Sequence, residues 1–105
     1  MRIIVLFNLL PGVSAADYEA WARRRDIPTV RGLASIRRFD VHAATGLLMG
    51  DGAPPFAYYE TIEVGDADQF GRDVATAEMQ RVSAEFRDYA DNPVFVLLRD
   101  LDAGT

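Results

Sequence analysis

The chain contains no cysteine. Disulfides, thiolate metal sites and thiol nucleophiles are therefore excluded, and the expected setting is a reducing, cytoplasmic one. Lysine is also absent, and the 11 basic residues, all arginine, are outnumbered by 16 acids for a net charge of −5. Phosphate recognition needs clustered cations, so no nucleic-acid partner is expected. The only basic run is Arg23-Arg24-Arg25, and neighbouring positions on a helix point different ways, so the run is read as solvated. A single histidine among scattered carboxylates makes no transition-metal cluster. No stretch approaches the ~18 apolar residues of a membrane span, so no membrane partner is expected. The opening MRIIVLFNLLPG has the basic and apolar parts of a leader. Its run is short, Pro11-Gly12 ends it and no small-residue cleavage site follows, so it is read as a first strand. Gly46, Gly50 and Gly52 lack the spacing and following helix of a phosphate loop, and no serine lies in a nucleophile elbow. An enzyme of this composition is expected to work with no cofactor, on a substrate that supplies its own reactivity.

What is present reads as one domain over residues 1–105, half of it apolar. Residues 2–10 are apolar at both parities, the mark of a strand covered on two sides. Ser14 with Asp17 resembles a capping box, and Val13 can staple onto Tyr18, so a helix starts near Ala15. It is expected to stop at Ile27-Pro28, because a residue before proline disfavours the helical region. Residues 34–43 alternate as a second strand. Ala44–Pro55 reads as a loop whose Leu47, Leu48 and Met49 suggest a flap that packs on something. Residues 56–64 form a third strand. Asp66 with Gln69 caps a helix that breaks near Thr76, itself a cap for a second segment striped by Val82, Phe86 and Tyr89. Asp91-Asn92-Pro93 is read as a turn, residues 94–101 as the last strand, and the remainder as a polar tail.

The order β-α-β-β-α-β is the ferredoxin-like α+β pattern, a four-stranded antiparallel sheet with helices on one face. Strands one and four are apolar on both faces, so the second sheet face also needs cover. Pairing with a second copy, a homodimer through the open sheet, supplies it. The alternative is that helix one and the long loop wrap the sheet edge.

In this topology the ends of strands one and two and the starts of strands three and four share a rim with the start of helix one and the end of helix two. Asn8, His42, Tyr58, Tyr59, Glu60 and Phe95 collect there from strands, and Tyr18, Phe86 and Tyr89 from helices, with Trp21 one turn deeper. An apolar cavity with a few polar groups suits a small ligand. His42 is the candidate general acid or base, poised by Glu60 or Asp40, against the alternative of a solvated strand-end histidine. Glu60 is either that partner or half of an ion pair with Arg37 or Arg38. Asn8 either bonds a ligand or closes the strand. Tyr18, Trp21, Tyr58 and Phe86 are candidate contacts for a flat aromatic ligand, with core packing as the alternative. Asp26 is read as a cap or an arginine partner in preference to a pocket residue.

The run Tyr18, Glu19, Trp21, Arg23, Asp26 and Pro28, together with IIVLFNLLPG, FAYYETIEV and MQRVSAEFRDYADNPVFVLLRDL, resembles the RedY/HapK-like family of the dimeric α+β barrel superfamily over nearly the whole chain. The resemblance implies a setting in bacterial pathways to prodiginines and bisindoles, with electron-rich pyrrole and indole intermediates. It implies no agreed catalytic set, so the site candidates rest on the rim. The expected function is a cofactor-independent tailoring enzyme that moves a proton on an indole- or pyrrole-derived aromatic intermediate. A cofactor-free monooxygenase and a non-catalytic binding protein for a reactive intermediate are the alternatives.

Overall fold

The computed structural model describes residues 1–102; the expected polar tail falls largely outside the described residues. Four strands, β1 (Arg2–Leu9), β2 (Ile36–Ala43), β3 (Tyr58–Val64) and β4 (Ala90–Leu98), form one sheet in the order β2-β3-β1-β4. Every pairing is antiparallel. The architecture is the ferredoxin-like α+β arrangement expected from the element order.

Alternation along β1 divides the molecule. Ile3, Val5 and Phe7 are buried beneath the helices, while Ile4, Leu6 and Asn8 face the other way. Residues paired across an antiparallel ladder share a face. Val5 pairs with Glu60, which pairs with Val41; Phe7 pairs with Tyr58, which pairs with Ala43. These residues face the helices. The core beneath them joins Val5 and Phe7 to Tyr18, Trp21, Val64 and Val82. Phe7 is its centre, stacked on Tyr58 with ring centroids 5.5 Å apart and met edge-on by Tyr18 at 5.5 Å and Phe86 at 5.0 Å.

Three expected caps form. Ser14 Oγ accepts the Asp17 N–H at 3.0 Å and opens α1 (Ala15–Trp21). Asp66 Oδ1 accepts from Asp68 and Gln69 and opens α3 (Ala67–Val74). Thr76 Oγ1 accepts from Met79 and opens α4 (Ala77–Arg87). The expected end of the first helix at Ile27-Pro28 is corrected. The helical path continues through a π-turn (Ala22–Asp26) into α2 (Ile27–Arg31). The Ile27 N–H reaches back five residues to the Ala22 carbonyl. A widened turn accommodates Pro28, which lacks a donor and whose ring crowds the carbonyl four residues back.

The last strand also starts earlier than its sequence suggests. Asp91-Asn92-Pro93 lies within β4 as a bulge, where the β1 register shifts between Leu6 and Asn8. Asn92 takes a left-handed φ of 44°, a conformation asparagine tolerates, and proline is accepted at a bulge on an edge strand. Beyond it, Val94–Leu98 are 37–71 % exposed. Val94, Val96 and Leu98 pair with Leu6, Ile4 and Arg2 and join them on the uncovered face. The β2 side of that face is polar, with Arg38, Asp40 and His42 beside Glu63, Thr61 and Tyr59.

Phe7 has no exposed surface and three aromatic neighbours. Phe7→Ala is expected to lower stability by about 3–5 kcal/mol in urea unfolding; a loss below about 1 kcal/mol contradicts its place as the centre of the core.

Candidate functional site

The π-turn turns Asp26 inward. It is 6 % exposed, and Glu60, on the helix face of β3, is 5 % exposed. Both line a cavity of about 200 Å³ between sheet and helices, walled mainly by Val30, Phe39, Ile62, Phe70, Met79 and Phe86. Its exposed end lies between Ser83 and Arg87 of α4 and Pro93 and Phe95 of β4. An apolar cavity of about 150 Å³ already accepts benzene, so this one has room for a somewhat larger ring.

Neither carboxyl is answered by a cation among the described residues. The ion pair expected between Glu60 and Arg37 or Arg38 does not form. Arg38 lies on the opposite sheet face, bonded to Asp40 at 2.6 Å, and Arg37 packs beside Gly65. Glu60 Oε2 and the Tyr18 hydroxyl are buried without a hydrogen-bond partner. Burial disfavours the charged form of a lone acid. It raises the Glu60 carboxyl to about 8, helped by the charge of Asp26, and raises Asp26 to about 7. The Tyr18 phenol is raised by burial first and then by Glu60 and Asp26. Near neutral pH the site therefore holds exchangeable protons in an apolar enclosure, the requirement for a general acid that works there.

The sequence candidates divide between the two faces. Glu60 and Phe86 line the cavity. Tyr18 and Tyr58 are buried beside it and, with Ile27, Val41, Glu19 and Arg23, line a second cavity of about 130 Å³. The Tyr58 hydroxyl donates to Glu19 Oε2 at 2.7 Å. Trp21 does not line either of these two cavities. It stacks on Tyr89 with centroids 5.1 Å apart, and its Nε1–H donates to Glu85 at 2.9 Å. Arg25, expected in solvent, grips Glu85 and Glu78 and so clamps the π-turn to α4.

His42 is not brought to Glu60. It pairs with Tyr59 on the uncovered sheet face and is exposed, while its neighbour Val41 takes the helix-facing position opposite Glu60. The period of two along a strand makes that one-residue offset decisive. Asn8 is on the uncovered face too, where its Oδ1 accepts the Ala57 N–H at 2.9 Å and pins the entry to β3. The expected flap does not close over the cavity either. Leu48 is 100 % exposed at its tip, and no residue of 44–57 lines the cavity. Asp26, read from the sequence as a cap or an arginine partner, is instead a cavity residue. Tyr18, Ala22 and Asp26 are four residues apart and all buried, and that spacing is the available signal.

A family model described as REDY-like protein HapK matches residues 1–101. Among solved structures, HapK from Hahella chejuensis is 27 % identical, with a TM-score of 0.72 over 100 % of this chain and 97 % of that one. A dimeric ferredoxin-like protein of unknown function from Thermobifida fusca YX is 16 % identical, with a TM-score of 0.73 over 90 % and 85 % of the two chains. An antibiotic biosynthesis monooxygenase is 15 % identical, with a TM-score of 0.70 over 95 % and 97 %. The last two likenesses concern the fold. No curated protein matches the sequence.

Burial of the two acids has a thermodynamic consequence. Their ordinary values are 4.5 and 3.8, and their folded values are about 8 and about 7. The native state therefore binds more protons than the unfolded state in that interval, and stability falls as pH rises through it. The melting temperature is expected to drop between pH 5.5 and 8.5, with Glu60→Gln flattening the decline and raising the value at pH 8.5. A wild-type melting temperature that is level or rising over this range contradicts the burial of both acids unpaired.

Proposed function

The chain belongs to the REDY-like HapK family, and from that membership and its cavity we propose a cofactor-independent tailoring enzyme of bacterial secondary metabolism that moves a proton on an indole- or pyrrole-derived aromatic intermediate. The observation that carries the reading is Glu60, a buried carboxyl with an unpartnered oxygen, beside Asp26 on the wall of an aromatic cavity. On this reading the planar ring enters between α4 and β4 and lies against Phe39, Phe70 and Phe86. Glu60, protonated near neutrality, gives its proton to a ring carbon. The ring becomes a cation and Glu60 a carboxylate beside it; return of the proton, or loss of another from the ring, restores both. Electron-rich heteroaromatics accept protons at carbon, so neither a redox partner nor a cofactor is required by this step. Fixing the ring against the acid also limits which atom reacts. His42, across the sheet, has no part in the transfer.

The test is hydrogen–deuterium exchange at C3 of indole in deuterated buffer, followed by proton NMR. The wild-type protein is expected to accelerate exchange, and Glu60→Gln to reduce the acceleration by about 10²-fold or more, with His42→Ala leaving it within about twofold. Absence of any acceleration by the wild type, or an undiminished rate in Glu60→Gln, overturns the assignment. Uptake of dissolved oxygen in step with product from the physiological substrate would replace it with cofactor-free oxygenation.

The proposal includes a homodimer through the open sheet. Ile4, Leu6, Val94, Val96 and Leu98 make an apolar half of that face, and β4 is an edge strand that offers unpaired backbone groups beside them. Contiguous apolar surface on an edge strand is a liability unless another chain covers it. Sedimentation at micromolar concentration is expected to give the two-chain mass for the wild type and a monomer for Val96→Asp. A single-chain mass for the wild type overturns the pairing.

A further inference from the structure

No donor of the protein is bonded to the two acids of the cavity. Asp26 and Glu60 bring four carboxyl oxygens to its wall, and their environment contains no hydrogen-bond contribution from the protein. Glu60 Oε2 is buried and unpartnered, and so is the Tyr18 hydroxyl next to the pair. Across the sheet Glu60 is flanked by Val5 and Val41, which offer nothing polar. From the helices, Tyr18 of α1 and Asp26 of the π-turn face it, and the polar residues that α4 adds to the lining are Ser83 and Arg87. Arg87 is exposed and contributes to neither acid's environment. The described residues hold no cluster of three or more metal-ligating side chains.

Two buried acids that receive no hydrogen bond are mismatched to a neutral hydrocarbon. They match a ligand that supplies the missing charge and N–H groups. The alternative occupants fit less well. An anion meets two acids, and an apolar ring alone leaves the Glu60 oxygen without a bond.

We propose that the cavity selects its ligand as a planar heteroaromatic cation of the protonated-imine or amidinium type, held by N–H bonds to the carboxylates of Glu60 and Asp26. This deepens the proton-transfer reading, on which it rests: the ring cation formed by that transfer is the species the pair is built to hold. Binding a preformed cation ionises the acids, so protons leave the protein as the ligand enters. Affinity for a fixed cation therefore rises with pH through the interval in which the pair gives up its protons.

Benzamidine and benzamide are nearly the same shape and differ in charge, so the pair of probes isolates the effect. Calorimetric titration of the intact protein is expected to show benzamidine binding at least about 10-fold more tightly than benzamide at pH 8.5. That preference shrinks by about 10-fold or more at pH 6, where the acids hold their protons. Titrations in buffers of different ionisation enthalpy are expected to show proton release on benzamidine binding at pH 7. Glu60→Gln and, independently, Asp26→Asn should each reduce the preference, with the fold checked by circular dichroism. The wild-type pH series decides between the outcomes even where a variant fails to fold. Equal binding of the two probes, or a preference for benzamide at pH 8.5, overturns cation selection and leaves the proton-transfer reading standing. Failure of benzamidine, benzamide and indole alike to bind overturns both.

Discussion

Two carboxyl groups held out of water without a cation are the constraint around which this structure is arranged. A buried acid is tolerated as a neutral group or beside a matching charge. Nothing in the sheet or helices supplies that charge to Glu60 or Asp26, and the cost of leaving them so appears as raised proton affinity. The position of each acid follows from backbone geometry. Glu60 faces inward because β3 pairs it with Val5 and Val41. Asp26 faces inward because the π-turn ahead of Pro28 rotates the helix by a fraction of a turn. Arg25, the residue before it, is drawn outward to Glu85 and Glu78. One turn thus keeps the guanidinium out of the cavity and the carboxyl in it.

The aromatic cluster behind the cavity gives the acids a firm wall. Phe7, Tyr18, Tyr58 and Phe86 form a chain of stacked and edge-on contacts, and Trp21 ties the cluster to α4 through Glu85. Aromatic groups packed in this way gain from ring geometry as well as from burial. Most of them therefore act by holding the shape of the cavity, and Phe86 alone among these five reaches its lining.

The fold is legible in the sequence because its signals are local and strong. The caps at Ser14, Asp66 and Thr76 are each a hydroxyl or carboxylate placed two or three residues before a backbone donor. The break between α3 and α4 follows from Thr76. The boundaries that differ are those at proline. Pro28 and Pro93 both read as stops, yet one sits in the first turn of a continuing helix and the other in a bulge of an edge strand, two places where a missing donor costs little. The site is less legible. Tyr18, Tyr58 and Phe86 pack together around Phe7, but Glu60 opens on a cavity that reaches back along the sheet to Ile36 and Ile62, and the end of a strand is shared by both faces. His42 and Glu60 are neighbours along the rim and opposites across the sheet. The alternation of Phe39 and Val41 with Asp40 and His42 along β2 is the signal that separates them, and a reading by strand ends passes over it. Asp26 escapes a local reading because Asp-Ile-Pro favours a cap, and only the four-residue spacing from Tyr18 points the other way.

The strand that most exposes this chain to a partner also borders the cavity. Along β4, Val94, Val96 and Leu98 look to the uncovered sheet face, while Pro93 and Phe95 look to the mouth between α4 and the sheet. Its outer edge has no neighbouring strand within the chain. A second copy seated on the apolar half of the sheet would restrain β4, and with it the position of Phe95 at the entrance. In the proposed dimer, the strand that carries the pairing surface is also the strand that carries Phe95 at the exposed end of the cavity.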